Sequence, residues 1–589
     1  MKVQHALTDT LYPLLIAVVI GFLAGLGAVL FRWLIDFEIG LFWAGEGDFV
    51  ERYQQAHWGW RLTAPMLAGL LLSPLLLRLA PEVRGPGVPE VMSALTHHDG
   101  IIRHRVTLLK SLSTATFIAS GCSVGREGPI VQIGSSIGST LTQLLRLGPD
   151  QRRLAIVCGA AAGIAATFQA PMAGTLFAVE ILLFDLEVAS LSNIVIASVT
   201  GTVVSKAIWS DETLFQIPFF TLSHPGELLL YVLMGVVAGF FSLLFMAYVF
   251  TLPKLFAALR IPKWLAPATA GLAVGAIGLL YPQALGVGYE TINQALHGNS
   301  TLAMVAVLLV AKLLTTGLCV GSGMSGGIFV PSLFLGAMLG CLFGHLADLF
   351  WQDLPLSAAH YGLVGMGAIV TGTTLAPITA ILTIFELTYN YQVILPLMAA
   401  CIPSLIVVRL FHGFSIYETK LLLQGIRIVR GHDANRLRAL QVRETMCREY
   451  QVLREHTPFE QLVSQIIESP FPHFMVLDEE DGLVGVLSLR DIRSRLADPA
   501  YRGEGVSAAQ LMTREVVTVR EDQNLEDAFR LFAKGNFSFL PVLAGDRAEK
   551  VVGYLKKDDL LVAYDQHILR AQVHPISPWV CPWPRPKDP

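Results

Sequence analysis

The chain has 589 residues, of which 53% are hydrophobic and only 15% charged, with a formal net charge of −4. A mean hydropathy of +0.56 is too high for a soluble globular protein and points to a polytopic membrane protein. The absence of a basic stripe excludes a nucleic-acid partner. Seven cysteines, mostly single within apolar runs, form neither a metal-ligand spacing nor a disulfide framework.

Apolar runs of spanning length or near it cover Tyr12–Leu34, Leu62–Leu79, Leu228–Leu252, Trp264–Leu280, Leu302–Val320 and Val393–Leu410. The first lacks a small-residue cleavage site before the next charged segment, so it is expected to stay as a membrane helix. Between these runs lie three glycine-rich stretches that each end in a proline opening an apolar helix. They are GPGVP (Gly85–Pro89), GREGP (Gly125–Pro129) and GGIFVP (Gly326–Pro331). Proline suits a first helical turn because its missing N–H costs nothing there, and glycine lets the preceding backbone turn. Each stretch therefore predicts a helix N-terminus within the membrane.

The membrane region repeats. Lys110 lies 19 residues before Pro129, as Lys312 lies 19 before Pro331, and Ser123/Ser325, Gly125/Gly327, Gly134/Gly336 and Gly138/Gly340 keep that register. A second block matches Ala170, Pro171 and Glu180 to Ala376, Pro377 and Glu386, with slightly longer spacing from the first. Repeats of broken hydrophobic segments indicate a transporter with its site between two halves. Converging helix starts offer unpaired N–H groups and partial positive charge, which bind a partly dehydrated anion without a full cation to trap it. A carboxylate at such a start, Glu127, imitates the anion, and protonation would remove its affinity for the helix ends.

After the last apolar run, Lys420, Arg427, Arg430, Arg436, Arg438 and Arg443 mark the cytoplasmic side. From Gln441 the composition becomes that of a soluble α/β domain in two copies, VRETM through GVLSLRDIRSRL and AAQLMTREVVTV through GYLKKDDLLVAY. These resemble a tandem pair of CBS domains, which commonly hold ATP, ADP or AMP. Gly485, Ser488 and Asp491 fit the ribose-binding pattern; in the second copy Gly553 and Asp559 fit, but Lys556 replaces the hydroxyl residue.

GREGP followed by VQIG, together with that tail, resembles the CLC family of chloride channels and proton-coupled anion exchangers. The resemblance implies a polytopic α-helical membrane protein with two inverted repeats and broken helices over residues 1–425. A linker (426–440), CBS-like domains (441–500 and 501–570) and a proline-rich tail (571–589) follow. It implies a homodimer in the plasma (inner) membrane with a cytoplasmic tail, Glu127 as gate, and transport of chloride or nitrate with protons. The anion sites are expected at Pro86, Gly87, Arg126, Glu127, Gly128, Ile328, Phe329 and Tyr417.

Two residues depart from the family pattern. The first loop commonly reads GSGIP, but Pro86 here supplies neither a hydroxyl nor an N–H, and plant members with proline there favour nitrate. Ile181 occupies the position of the inner proton glutamate, which leaves a proton-coupled exchanger and a passive gated channel both open. Glu180 and its mate Glu386 are expected to bond in the half-to-half interface. GCSVG and GSSIG also fit the nucleophile-elbow pattern, and GMSG around Ser325 resembles the serine motif of rhomboid intramembrane proteases, so an intramembrane serine protease using Ser325, with His345 or His360 as base, is the remote alternative. The matching positions of Ser123 and Ser325 favour helix-start capping instead.

Overall fold

The repeat read from the sequence is visible in the order of helices. The computed structural model describes residues 2–97, 100–183, 188–209, 220, 222, 224–351, 356–426, 440–469, 471, 473–488, 506–535, 537–544 and 550–560. The chain divides into two compact units between residues 428 and 429. The expected linker and proline-rich tail fall almost wholly outside the described residues.

The first unit is helical: α1 (Lys2–Phe42), α2 (Phe49–Gln55), α3 (Trp58–Leu79), α4 (Val88–His97), α5 (His104–Ala119), α6 (Glu127–Leu144), α7 (Pro149–Phe168), α8 (Pro171–Phe177) and α9 (Val188–Ile208) make the first half. The second half holds α10 (Glu227–Ala258), α11 (Ala266–Leu280), α12 (Tyr289–Leu296), α13 (Leu302–Ser322), α14 (Phe329–Phe350), α15 (Ala358–Thr374), α16 (Pro377–Thr388) and α17 (Ile394–Phe411). The short α18 (Ile416–Leu423) follows. Among the described residues, seven helical stretches are long and apolar enough to cross a membrane, including Leu191–Ile208 and Phe329–Phe350 beyond the runs picked out from sequence.

Matching helices make matching contacts: α1 packs on α7 and α9 as α10 packs on α15 and α17, while α3 meets α11 and α8 meets α16 across the halves. The α6/α7 pair closes on Gly134 and Gly159, where an added Cβ on either would lie 2.0 Å from the other's carbonyl oxygen. The α14/α15 pair closes in the same way on Gly336 and Gly365. Small residues let helix backbones approach in a bilayer, where apolar burial supplies no extra drive between helices.

Both halves turn identically before their short helices. Gln169 and Leu375 end α7 and α15 in the left-handed conformation (φ 53° and 55°), and an Ala-Pro pair starts the next helix. Proline bars its predecessor from the helical region, so the chain must break there. The longer spacing to the second block has a simple origin: α14 has 22 residues against 18 in α6, one extra turn.

The second unit holds two three-stranded sheets. In the first, β1 (Gln451–Arg454) pairs parallel with β2 (His473–Leu477), which pairs antiparallel with β3 (Leu483–Ser488). In the second, β4 (Val519–Arg520), β5 (Phe539–Leu543) and β6 (Val551–Lys556) repeat that order. The copies exchange their leading segments. Cys447 bonds both ways with Tyr554 of β6 (2.8 and 3.0 Å), and Thr513 bonds both ways with Val486 of β3 (2.9 and 3.1 Å). Met475 and Leu477 of the first copy share an apolar cluster with Val551 and Tyr554 of the second, so the two sheets form one body.

Candidate functional site

The three glycine loops meet one another directly. Gly125 and Gly327, equivalent residues of the two halves, each donate their N–H to the other's carbonyl at 2.7 Å. Gly85 donates to the Met324 carbonyl and accepts from the Gly326 N–H, both at 3.2 Å. Buried loop backbone must find partners in the absence of water, and here each loop supplies them for the next. Gly128 permits the closest approach: a Cβ there would lie 1.6 Å from the Pro86 carbonyl oxygen. Gly85 and Gly87 take φ of 89° and 91°, which only glycine adopts readily.

Basic side chains brace the loops by their carbonyls. Fully buried Lys110 donates to the carbonyls of Val83 (2.8 Å) and Gly85 (2.5 Å). Its equivalent Lys312 donates to those of Ala284 (3.2 Å) and Gly286 (2.9 Å). Gly286 and Gly288 (φ 56° and 90°) thus form a second copy of the first loop, which the sequence reading missed. Extending the lysine register back to the paired glycines would have found it. Arg84 donates to the carbonyls of Ser322 (2.9 Å) and Gly323 (3.2 Å), capping the end of α13.

Ser123 and Ser325 do not cap the helix starts, contrary to expectation. Ser123 shares a hydrogen bond with Thr316 (2.9 Å) and Ser325 with Thr114 (2.8 Å), each tying one half to the other. His345 bonds the Ser300 carbonyl (3.0 Å), and the His360 ring lies 4.5 Å from that of Phe220. Neither is the hydrogen-bonded base that a serine nucleophile needs.

Glu127 opens α6 and is 1% exposed. Its Oε1 accepts from the Arg126 N–H (3.2 Å), while Oε2 is buried with no hydrogen-bond partner. That oxygen lies over Gly125 and Gly327, and the Val330 amide, in the first turn of α14, also faces the carboxyl. The carboxyl therefore sits where two helix starts from opposite halves converge. Arg126 does not fold back onto it; its guanidinium lies 5.0 Å from the centre of the Tyr289 ring.

Ile328 caps α14 and is buried; the Phe329 ring packs 5.8 Å from that of Phe168 and 6.1 Å from that of Phe177. Tyr417 is buried at the start of α18, near enough for the Glu127 charge to act on its hydroxyl. A capping box of Ser415 and Glu418 starts that helix. Lys420, one turn on, bonds the Arg84 carbonyl (3.1 Å) and pairs with Glu90, fastening α18 to the first loop. Pro86 and Gly87 both lie against Gly128, next to Glu127.

Ile181 is buried in a single π-helical stretch, Ala178–Leu183, that follows α8. The adjacent Glu180 accepts from the N–H groups of Ile378 (3.3 Å) and Thr379 (2.8 Å) and from the Thr379 hydroxyl (2.7 Å). Reciprocally, Glu386 accepts from the N–H groups of Met172 (3.0 Å) and Ala173 (2.7 Å). Each glutamate caps the short helix of the other half, the interface task expected of the pair.

In the second unit, Ser488 ends β3, and Asp491 lies outside the described residues. Asp559 accepts from the Cys447 Sγ at 3.4 Å, and a Cβ on Gly553 would lie 2.5 Å from the Cys447 carbonyl oxygen. Cys447 thus lies against both of the second copy's candidate ribose-binding residues. Burial pushes the Cys447 thiol up, and the neighbouring Asp559 adds to the shift.

Comparison with known proteins agrees with this architecture. A ClcB-like protein of Ralstonia nicotianae is 35% identical over 420 residues, covering 69% of this chain and 96% of that protein. The H(+)/Cl(−) exchange transporter ClcA of Yersinia pestis bv. Antiqua (strain Angola) is 31% identical over 420 residues, covering 69% of this chain and 87% of that protein. The crystal structure of a eukaryotic CLC transporter superposes with a TM-score of 0.65 at 22% identity, covering 94% of this chain and 98% of its own. The model for CBS domains matches residues 442–498 and 508–565. Residues 68–409 match the model for the voltage gated chloride channel family, and with this helical fold and paired loops the chain belongs to that family of membrane anion transporters.

Proposed function

We propose that the protein exchanges a small monovalent anion, chloride or nitrate, for protons, with Glu127 as the gate. The observation that carries this reading is the Glu127 carboxyl itself, buried between helix starts of both halves with Oε2 unpartnered. A carboxylate there occupies an anion's seat, and a proton that neutralises it lets it leave. Arg126, Gly128, Ile328 and Phe329 flank that seat, while Pro86, Gly87 and Tyr417 flank its deeper side. The exchange activity named for the Yersinia relative supports the proton partner.

The test is coupled flux in liposomes. Under an anion gradient the wild type drives protons uphill, and Glu127→Gln passes anion with no proton movement. Proton pumping that survives in Glu127→Gln refutes the assignment. Ile181, apolar where an inner proton group would stand, favours a second reading, a passive gated channel. Anion flux in the wild type without proton pumping at any pH selects it.

The protein is proposed to work as a homodimer in the inner membrane, with the CBS pair in the cytoplasm. Adenine nucleotide is proposed to bind the first CBS copy through Ser488 and Asp491. Cys447 over Asp559 argues against a second site of equal strength. Calorimetry of the full chain with ATP, ADP and AMP is expected to give one site per chain; no heat with any of them ends the proposal.

A further inference from the structure

The anion path proposed above has two walls on its deeper side, and they come from opposite ends of the membrane unit. One is the first glycine loop, residues 85–87; the other is Tyr417 on α18. The loop is held without help from α18: Lys110 donates to the Val83 and Gly85 carbonyls, and Gly85 bonds Met324 and Gly326 of the second half. The helix α18 is only 8 residues long and packs on α4 and α15. Lys420 ties it to the loop.

The Lys420 ammonium donates to the Arg84 carbonyl at 3.1 Å, across 336 residues of chain, and pairs with Glu90 in the first turn of α4. It reaches both because Gly85 has no side chain: a Cβ there would lie 2.6 Å from the Lys420 Nζ. The two side chains of the pair are largely buried, at 18% and 13% exposed, so salt screens this contact less than it would an open surface pair. Lys420 follows Tyr417 by three residues, which puts both on one face of the helix. Fixing Lys420 against the loop therefore fixes Tyr417 against it, and a binding group must be held within about 0.5 Å of its productive place.

We propose that Glu90 and Lys420 are positioning residues for anion binding: their joint sets the distance between Tyr417 and the backbone of the first loop, and so the affinity for the anion between them. This rests on the reading of Tyr417 as part of the anion path. Neither side chain of the pair touches the anion; each acts through Tyr417. Gly85 belongs to the same device, because any side chain there would displace the ammonium.

The test is calorimetry of chloride binding to the purified full-length protein, for the wild type, Tyr417→Phe, Glu90→Gln/Lys420→Met, and the three substitutions combined. The paired variant removes both charges, so no half-buried carboxylate is stranded. Tyr417→Phe and the paired variant are each expected to weaken chloride roughly tenfold, and the triple variant to bind no more weakly than either. Residues that act through one another lose affinity once, whereas independent effects multiply. Glu90→Gln alone keeps the Arg84 bond and is the milder variant; its loss is expected to be smaller and likewise absent in combination with Tyr417→Phe. The proposal is overturned if the paired variant binds as the wild type does while Tyr417→Phe weakens binding, or if the losses multiply in the triple variant. Wild-type affinity in Tyr417→Phe would remove the tyrosine from the anion path, and this proposal with it, while leaving the Glu127 test untouched.

Discussion

Replacing Gly327 by alanine adds one methyl at the seat of the Glu127 carboxyl. The new Cβ would lie 2.6 Å from Oε2 and 3.0 Å from the Gly128 nitrogen. Gly327 does not have a positive φ, so alanine fits the backbone and the strain falls on the contact. A carbon and an oxygen rest at about 3.5 Å, close to ordinary van der Waals separation, so the overlap cannot be ignored. The atom that yields is the free end of a flexible side chain, which turns an overpacking cost into displacement of the proposed gate. That cost, about 1–3 kcal/mol, corresponds to a roughly 5- to 150-fold loss of the closed population. The assay is anion efflux from liposomes at a pH where the wild type is slow, together with proton pumping. Gly327→Ala is expected to speed efflux and weaken coupling, while the purified protein melts within a few degrees of wild type. Wild-type flux and coupling in a folded Gly327→Ala protein would refute the placement of the carboxyl.

The same substitution at Gly128 has the opposite expectation: its Cβ meets the Pro86 backbone carbonyl at 1.6 Å, which cannot swing away, so Gly128→Ala should fail to assemble in size-exclusion chromatography. Glu180→Ala and Glu386→Ala each remove a cross-half cap and should each cost about 2 kcal/mol, read as similar drops in thermal unfolding temperature. Pro86→Ser restores a hydroxyl to the first loop and should shift selectivity from nitrate toward chloride in liposome flux; an unchanged ratio sinks the nitrate reading.

Much of the site could be read in the sequence because its chemistry is backbone chemistry. Glycine before proline has few structural uses within an apolar run, so Gly125–Pro129 and Gly326–Pro331 announced their helix starts. The bracing was less legible. Lys110 and Lys312 stood out as repeat markers, but carbonyls 83 to 85 and 284 to 286 became their partners only when the loops folded back. Tyr289 carried no signal at all, since its pairing with Arg126 depends on the approach of α12 to α6. Ser123 and Ser325 misled for a related reason: a hydroxyl before a helix usually caps it, yet Thr316 and Thr114 lie closer across the halves. In the tail, the paired strands GVL and GYL were plain, whereas the exchange of leading segments through Cys447 and Thr513 is a long-range pairing that no local pattern encodes.

The crossed bonds between the halves bear on the ancestry of the chain. Gly125 with Gly327, Ser123 with Thr316 against Ser325 with Thr114, and Glu180 against Glu386 all obey one rule: what residue i does to j, the counterpart of i does to the counterpart of j. That is the rule of an isologous twofold interface between identical subunits. A half-length protein carrying one copy of each motif would already have owned these contacts, made between two separate molecules. The two copies are not identical: a carboxylate stands at Glu127, the proposed gate, while its counterpart is the apolar Phe329.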